Sequence, residues 1–184
     1  MATVSAGAGP LAGDAKRSYV RGLFTAIAPS YDLLNHTLSL NIDRRWRRHA
    51  VDQLGWSERP SGTYLDLCAG TMDLAAELAG RPGFGGRVIA ADFVVPMLRL
   101  GRRKHAGVGA VGADALELPF AGGMFDGCTV GFGVRNFSDV DAGLREIARV
   151  LKPGGRAVIL ELATPTAWPI RPLFLMYLRQ ILPR

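Results

Sequence analysis

The sequence predicts a doubly wound α/β domain, with a mostly parallel sheet, preceded by a short helical segment. Three observations carry this expectation. From Thr63 onward, short apolar runs alternate with stretches of helical periodicity. The first run ends in the small-residue turn Ala69-Gly70-Thr71, and the second ends in Asp92, 22 residues beyond Gly70. The chain has 184 residues, 48% hydrophobic and 21% charged, which suits one domain able to bury a core. Strands separated by helices pair in parallel, because each helix carries the chain back to start again in the same direction.

The elements follow in order. Residues 1–18 are expected as a disordered tail, since the first thirteen are mostly Ala, Gly, Ser, Thr and Pro. Residues 19–62 are expected to be helical. Val20, Leu23, Phe24 and Ile27 recur at helical spacing before Pro29, and Ser30–His36 follows. Asp43 is the expected N-cap of a helix with Trp46, Ala50, Val51 and Leu54 on one face and Arg44, Arg45, Arg47 and Arg48 around the others. Residues 63–184 form the expected core. Its strands are Thr63–Cys68, Arg87–Asp92, a weak one near Val108–Asp114, Gly127–Gly133 and Ala157–Leu162. Its helices are Leu74–Ala79, Pro96–His105 and one capped by Ser138 with Asp141, which Pro153-Gly154-Gly155 ends. The segment Trp168–Leu182 is apolar apart from Arg171, Arg179 and Gln180.

Composition narrows the function classes. No apolar run reaches the ~18 residues that span a bilayer, and the N-terminus lacks the pattern of a secretion signal. Cys68 and Cys128 alone make neither a disulfide framework nor a metal site, so no metal is expected and the expected compartment is a reducing cytoplasm. The net charge of +6 is carried by the two ends, while residues 63–160 are nearly balanced. A basic surface favours anionic partners such as membrane lipid or nucleic acid without choosing between them.

The chemistry is expected beyond the carboxyl ends of the strands, where strand order reverses. The turn from Asp66 through Gly70 and Thr71 lets backbone N–H groups approach a ligand closely. Asp92 stands where a carboxylate accepts both hydroxyls of a ribose. An ordinary β–α turn with a capping Asp accounts for these residues equally well at this point. A dinucleotide turn needs three glycines, and this one has a single glycine. The acid Asp66 suits a ligand with an amino group, as in S-adenosylmethionine. Asp114 and Ala115 fall where an adenine is read, and Leu116–Phe120 would wall the purine.

Several longer stretches point further: Phe24–Leu34 (FTAIAPSYDLL), Asn35–Arg48 (NHTLSLNIDRRWRR), Leu65–Leu74 (LDLCAGTMDL), Ala113–Phe120 (ADALELPF), Gly131–Phe137 (GFGVRNF) and Glu146–Gly155 (EIARVLKPGG). From about Tyr19 to its end the chain resembles the menaquinone/ubiquinone-biosynthesis C-methyltransferase family. The Tyr31-Asp32 and Gly133–Asn136 segments are the family-specific ones. The resemblance implies a Rossmann-like class I methyltransferase fold. It also implies methyl transfer from S-adenosylmethionine to a ring carbon of a prenylated quinol, with residues 19–62 as a substrate cap. Asp66, Gly70, Thr71, Asp92, Asp114, Ala115 and Gly131 are then expected at the cofactor. Asn136 is expected to hold a quinol oxygen, Arg135 to stabilise its developing charge, Tyr31 to hydrogen-bond the substrate and His36 to accept a proton.

The chain departs from the family pattern twice. Met72 stands where the family usually has Gly, and a side chain there is expected either to crowd the methionine end of the cofactor or to force the turn to relax. The chain ends at Pro183-Arg184, where the family continues with strands that include an antiparallel hairpin, so the expected core lacks its C-terminal strands. A cofactor-binding relic without catalysis therefore competes with the enzyme, as does a methyltransferase for another small molecule. A nucleic-acid substrate is disfavoured, because Gly131–Asn136 replaces the Asn/Asp-Pro-Pro-aromatic turn that stacks a flipped base. A prenylated substrate implies visits to an anionic membrane surface, through the Arg44–Arg48 helix or Trp168–Leu182. A homodimer is left open.

Overall fold

The computed structural model describes residues 13–39 and 41–162, with the side chains of residues 34 and 36–38 excepted. Five strands form one parallel sheet in the order β3-β2-β1-β4-β5. They are β1 (Thr63–Leu67), β2 (Arg87–Asp92), β3 (Gly109–Gly112), β4 (Phe125–Gly131) and β5 (Leu151–Leu160). The helices are α1 (Gly13–Ile27), α2 (Tyr31–Leu38), α3 (Asp43–Gln53), α4 (Asp73–Ala79), α5 (Val95–Lys104) and α6 (Val140–Val150). The predicted doubly wound sheet is present. Strand order reverses between β1 and β4, which opens a crevice at their carboxyl ends.

Both faces of the inner strands β1, β2 and β4 are largely covered, so these strands are rich in apolar residues. On one face Tyr64, Val88 and Ala90 pack with Val51 and Leu54 and with Leu74 and Leu78 of α4. On the other, Leu65, Leu67, Cys128 and Val130 pack with Ile147 and Val150 of α6. A third, smaller cluster of Ala28, Val94 and Met97 with Phe24 and Tyr31 seats α1 and α2 on the start of α5.

The structure corrects several local expectations. Helix α1 begins at Gly13, inside the segment expected as tail up to residue 18. Asp43 is the first residue of α3 rather than its cap; the cap position is Ile42. Asp43 is instead buried, lying 3.1 Å from Arg47 one turn on. Arg47 is buried too, because Asp73 of α4 meets its other nitrogen at 2.7 Å, so it does not share the exposed side of α3 with Arg44, Arg45 and Arg48. The cap of α6 is Asp139, whose carboxylate accepts from Ala142 N at 2.9 Å, rather than Ser138. Strand β5 starts at Leu151, not Ala157. The Pro153-Gly154-Gly155 segment is a bulge within the strand, with Phe125 opposite Leu151 and Gly127 opposite Arg156. The expected Trp168–Leu182 element lies outside the described residues.

Candidate active site

The carboxyl ends of β1, β2 and β4 meet below α1 and α2 around one partly open cavity. Its floor is the β1–α4 turn. Cys68 (φ 57°), Gly70 (φ 54°) and Met72 (φ 69°) are all left-handed, and so is Phe132 (φ 57°) at the end of β4. Such backbone costs about 1–2 kcal/mol at each non-glycine residue, and it concentrates where a turn must present its N–H groups. At Gly70 a side chain would also meet Met97 Cε at 3.5 Å and Tyr31 Cε1 at 3.7 Å.

Asp92 fixes this floor. Its Oδ2 accepts from Gly70 N at 2.8 Å and its Oδ1 from Val94 N at 2.7 Å. Burial pushes its pKa up, and the two N–H bonds offset part of that rise. Asp66 lies deeper, outside the cavity lining, with Oδ2 accepting from Ala75 N at 3.0 Å and Oδ1 from Thr129 Oγ1 at 2.9 Å. Burial drives its pKa to about 7, against the pull of those two bonds. Burial, and then the Asp92 and Asp66 carboxylates, push the Cys68 thiol pKa well up, which disfavours the thiolate.

One wall is the segment after β3. Asp114 Oδ1 accepts from Leu116 N at 2.9 Å, and Asp114, Ala115 and Leu116 all line the cavity. Helix α6 clamps this wall: Glu146 accepts from Leu118 N at 2.8 Å, while Arg149 donates to Leu118 O at 3.0 Å and Phe120 O at 2.8 Å. The Arg149 guanidinium holds the Glu146 pKa down at about 2. The opposite wall is Gly131, Phe132, Gly133 and Asn136.

The roof comes from the N-terminal helices. Arg17, Val20, Phe24 and Tyr31 line the cavity, with Phe24 and Tyr31 edge to face at 5.9 Å. Burial raises the Tyr31 pKa, and a hydrogen bond with Asn35 opposes the rise. Three side chains strap α1 across the mouth. Lys16 donates to Arg135 O at 3.0 Å and Phe137 O at 2.5 Å, Arg17 pairs with Asp114, and Arg21 stacks over Phe93 at 5.5 Å.

The structure thus gathers Gly70, Asp92, Asp114, Ala115, Gly131, Tyr31 and Asn136 around one cavity. It places others elsewhere. Thr71 is buried and donates to Asp32 at 2.6 Å. Arg135 is 51% exposed, 3.7 Å from Glu161, and does not line the cavity. The side chain of His36 lies outside the described residues. Met72 does not crowd the cavity. It is fully buried, and its side chain fills a notch at Gly101, where any Cβ would lie 2.5 Å from Met72 Cγ. Sequence reasoning missed Lys16, Arg17 and Phe93; of the roof, Tyr31 and the Val20–Phe24 spacing were visible. Among the described residues no group of three or more His, Cys, Asp or Glu is placed to hold a metal.

Over residues 12–184 the chain matches the ubiE/COQ5 methyltransferase family. It is 42% identical over 174 residues to the ubiquinone/menaquinone biosynthesis C-methyltransferase UbiE of Geobacter sulfurreducens, covering 91% of this chain and 67% of that protein. It is 46% identical over 165 residues to the demethylmenaquinone methyltransferase of Thermus thermophilus, covering 88% and 74%. A crystal structure assigned to the S-adenosyl-L-methionine-dependent methyltransferases, from Methanococcus maripaludis, superposes with a TM-score of 0.66 at 22% identity, covering 85% of this chain and 72% of that one. A SAM-dependent methyltransferase of Aquifex aeolicus gives 0.53 at 21% identity, covering 59% and 60%. At these identities the two structures speak for the fold alone.

Proposed function

The chain belongs to the ubiE/COQ5 methyltransferase family, the S-adenosylmethionine-dependent C-methyltransferases of quinone biosynthesis, and we propose that it converts demethylmenaquinol to menaquinol. The observation that carries this reading is a single cavity with two chemistries. Carboxylates and small residues line its sheet side, and an aromatic helical roof beside Asn136 lines the other.

The residues present fit the methyl donor. Asp92 keeps lone pairs beyond its two backbone bonds and faces the cavity, so it suits the ribose hydroxyls. Asp114 and Ala115, with Leu116, suit the adenine, and Gly70 and Gly131 leave room for the chain between. Thr71 and Asp66 support this end from beneath: Asp66 holds the first turn of α4 through Ala75 N. When bound, the donor supplies an electrophilic methyl on a sulfonium.

The bound donor would give its methyl to a quinol ring carbon, with the C–S electron pair staying on sulfur and the displaced ring proton passing to a base. Asn136, on the cavity wall, is proposed to hold the quinol oxygen. Tyr31 would donate to that oxygen from the roof, since its raised pKa keeps the phenol protonated. Arg135, exposed beside Glu161 and outside the cavity lining, would stabilise the oxyanion through water. His36 is proposed as the proton acceptor. Orientation of the two substrates supplies most of the acceleration.

A prenylated quinol resides in lipid, so the proposal includes peripheral contact with an anionic membrane through exposed Arg44, Arg45 and Arg48. No helix among the described residues is long and apolar enough to cross one. The test of the function is label transfer. With methyl-labelled S-adenosylmethionine and a chemically reduced, short-tailed demethylmenaquinone, the label is expected on the quinol ring by mass spectrometry. Cofactor binding without labelled quinol would overturn the reading in favour of a binding protein.

A further inference from the structure

Asp32 follows Tyr31 at the start of α2, and its carboxylate is shared between two other elements. Thr71 Oγ1, next to Gly70 in the floor turn, donates to Oδ1 at 2.6 Å. Lys104 Nζ, the last residue of α5, donates to Oδ2 at 2.6 Å. From there the charges run on. Lys104 also donates to Asp73 Oδ1 at 3.1 Å, and Arg47 Nη1 donates to Asp73 Oδ2 at 2.7 Å. Arg47 Nη2 lies 3.1 Å from Asp43 Oδ2, and Ser39 Oγ, just past the end of α2, donates to Asp43 Oδ1 at 2.7 Å. The chain of contacts leaves α2 at its first turn and returns just beyond its last.

An eight-residue helix does not hold itself in water, so tertiary ties must orient α2. The packing of Tyr31 against Ala28, Val94 and Met97 is non-directional and resists sliding poorly. The Asp32 bridge is directional. Adjacent helical residues point about 100° apart, so Tyr31 faces the cavity while Asp32 grips the turn that forms its floor. Tyr31 Cε1 stands 3.7 Å from where a Cβ on Gly70 would lie. A small shift of α2 would therefore move the phenol against the methyl-transfer site.

We propose that Asp32 is a positioning residue for methyl transfer: by bridging Thr71 and Lys104 it sets the Tyr31 hydroxyl over the cavity. This rests on the quinol reading of the site. It assigns Thr71 to the grip on the roof, and it gives the Tyr31-Asp32 pair a joint role in which neither residue substitutes for the other.

The experiment is a double-mutant cycle with Asp32→Ala and Tyr31→Phe, read as kcat/KM for the quinol and as Kd for S-adenosylmethionine by calorimetry. Asp32→Ala is expected to lower kcat/KM roughly 10–100-fold, as an ångström-scale misplacement does, with cofactor Kd nearly unchanged. The double variant is expected to lose little more than the worse single variant, because both changes remove one placement. Fully additive losses, or an unchanged kcat/KM in folded Asp32→Ala, would overturn the proposal. Lys104→Met, which releases the other end of the bridge, guards against misfolding of Asp32→Ala and is expected to act in the same direction. Hydrogen exchange over α2 needs no substrate. Faster exchange in Asp32→Ala supports the bridge, and unchanged exchange overturns it. A wild-type protein that fails to methylate the quinol refutes the function, and the exchange result then decides the bridge alone.

Discussion

On the sheet side of the cavity, Asp92 is 7% exposed and takes N–H bonds from Gly70 and Val94. On the helical side, Arg17 meets Asp114 with 43% of its own side chain in solvent. The floor is thus a set of buried bonds between one carboxylate and backbone, directional and little affected by ions. The roof is a strap of long side chains whose pairing is screened by salt and opposed by rotamer entropy. This division matches the proposed pairing of a soluble nucleoside donor with a prenylated quinol.

Removing the buried carboxylate should sharpen the contrast most. Asp92→Ala is expected to weaken S-adenosylmethionine binding by roughly 1.5–3 kcal/mol, the range for hydrogen bonds to a charged group, as read by calorimetry. Unchanged affinity in a folded variant would break the assignment of the floor. The next effect is in stability. The Asp66 pKa is about 7 in the folded protein, against an ordinary value of 3.8. A raised carboxyl pKa contributes stability that is complete below the unfolded value and is lost as pH rises through about 7. Asp66→Asn does not ionise, so it should gain on the wild type by on the order of 2 kcal/mol between pH 5 and pH 8 in urea unfolding. Parallel pH profiles would contradict the buried, hydrogen-bonded placement of Asp66.

Met72→Gly comes third. It relieves about 1–2 kcal/mol of left-handed backbone but empties the notch at Gly101, and deleting a buried Met side chain costs roughly 2–5 kcal/mol. A net loss of about 2 kcal/mol is expected from the middle of those ranges, with cofactor affinity unchanged; tighter binding would mean that Met72 reaches the cavity after all. The smallest effect belongs to the roof. Arg17→Ala should change cofactor affinity by less than about 1 kcal/mol, and the difference should vanish at high salt. A large, salt-insensitive effect would erase the distinction between floor and roof.

The floor was legible in the sequence because its parts are local. Asp92 ends β2 and Gly70 lies in the turn just after β1, and a parallel sheet brings strand ends together whatever the helices do. The roof was not. Lys16 and Arg17 lie in a segment whose small residues read as tail, and they are ordered by Asp114 and by two carbonyls near residue 136, over a hundred positions away for Lys16. Arg47 was read as one of four solvated arginines, because nothing local announces that Asp73 will approach it from α4. The direction of the Met72 side chain depends on a notch at Gly101, which is a property of packing and not of the turn. The bulge in β5 hid behind Pro153-Gly154-Gly155, which stops a helix and bends a strand with the same residues.

The most direct test of the division of labour crosses two variants in one assay: cofactor Kd, and quinol methylation at saturating S-adenosylmethionine, for Asp92→Ala and Asn136→Ala. Asp92→Ala is expected to raise Kd and to recover much of its rate once the cofactor saturates. Asn136→Ala should keep a near-normal Kd and lose rate at every cofactor concentration. If both variants lose affinity and rate together, the cavity is not divided into a cofactor floor and a substrate side, and the assignment of Asn136 to the quinol falls with it.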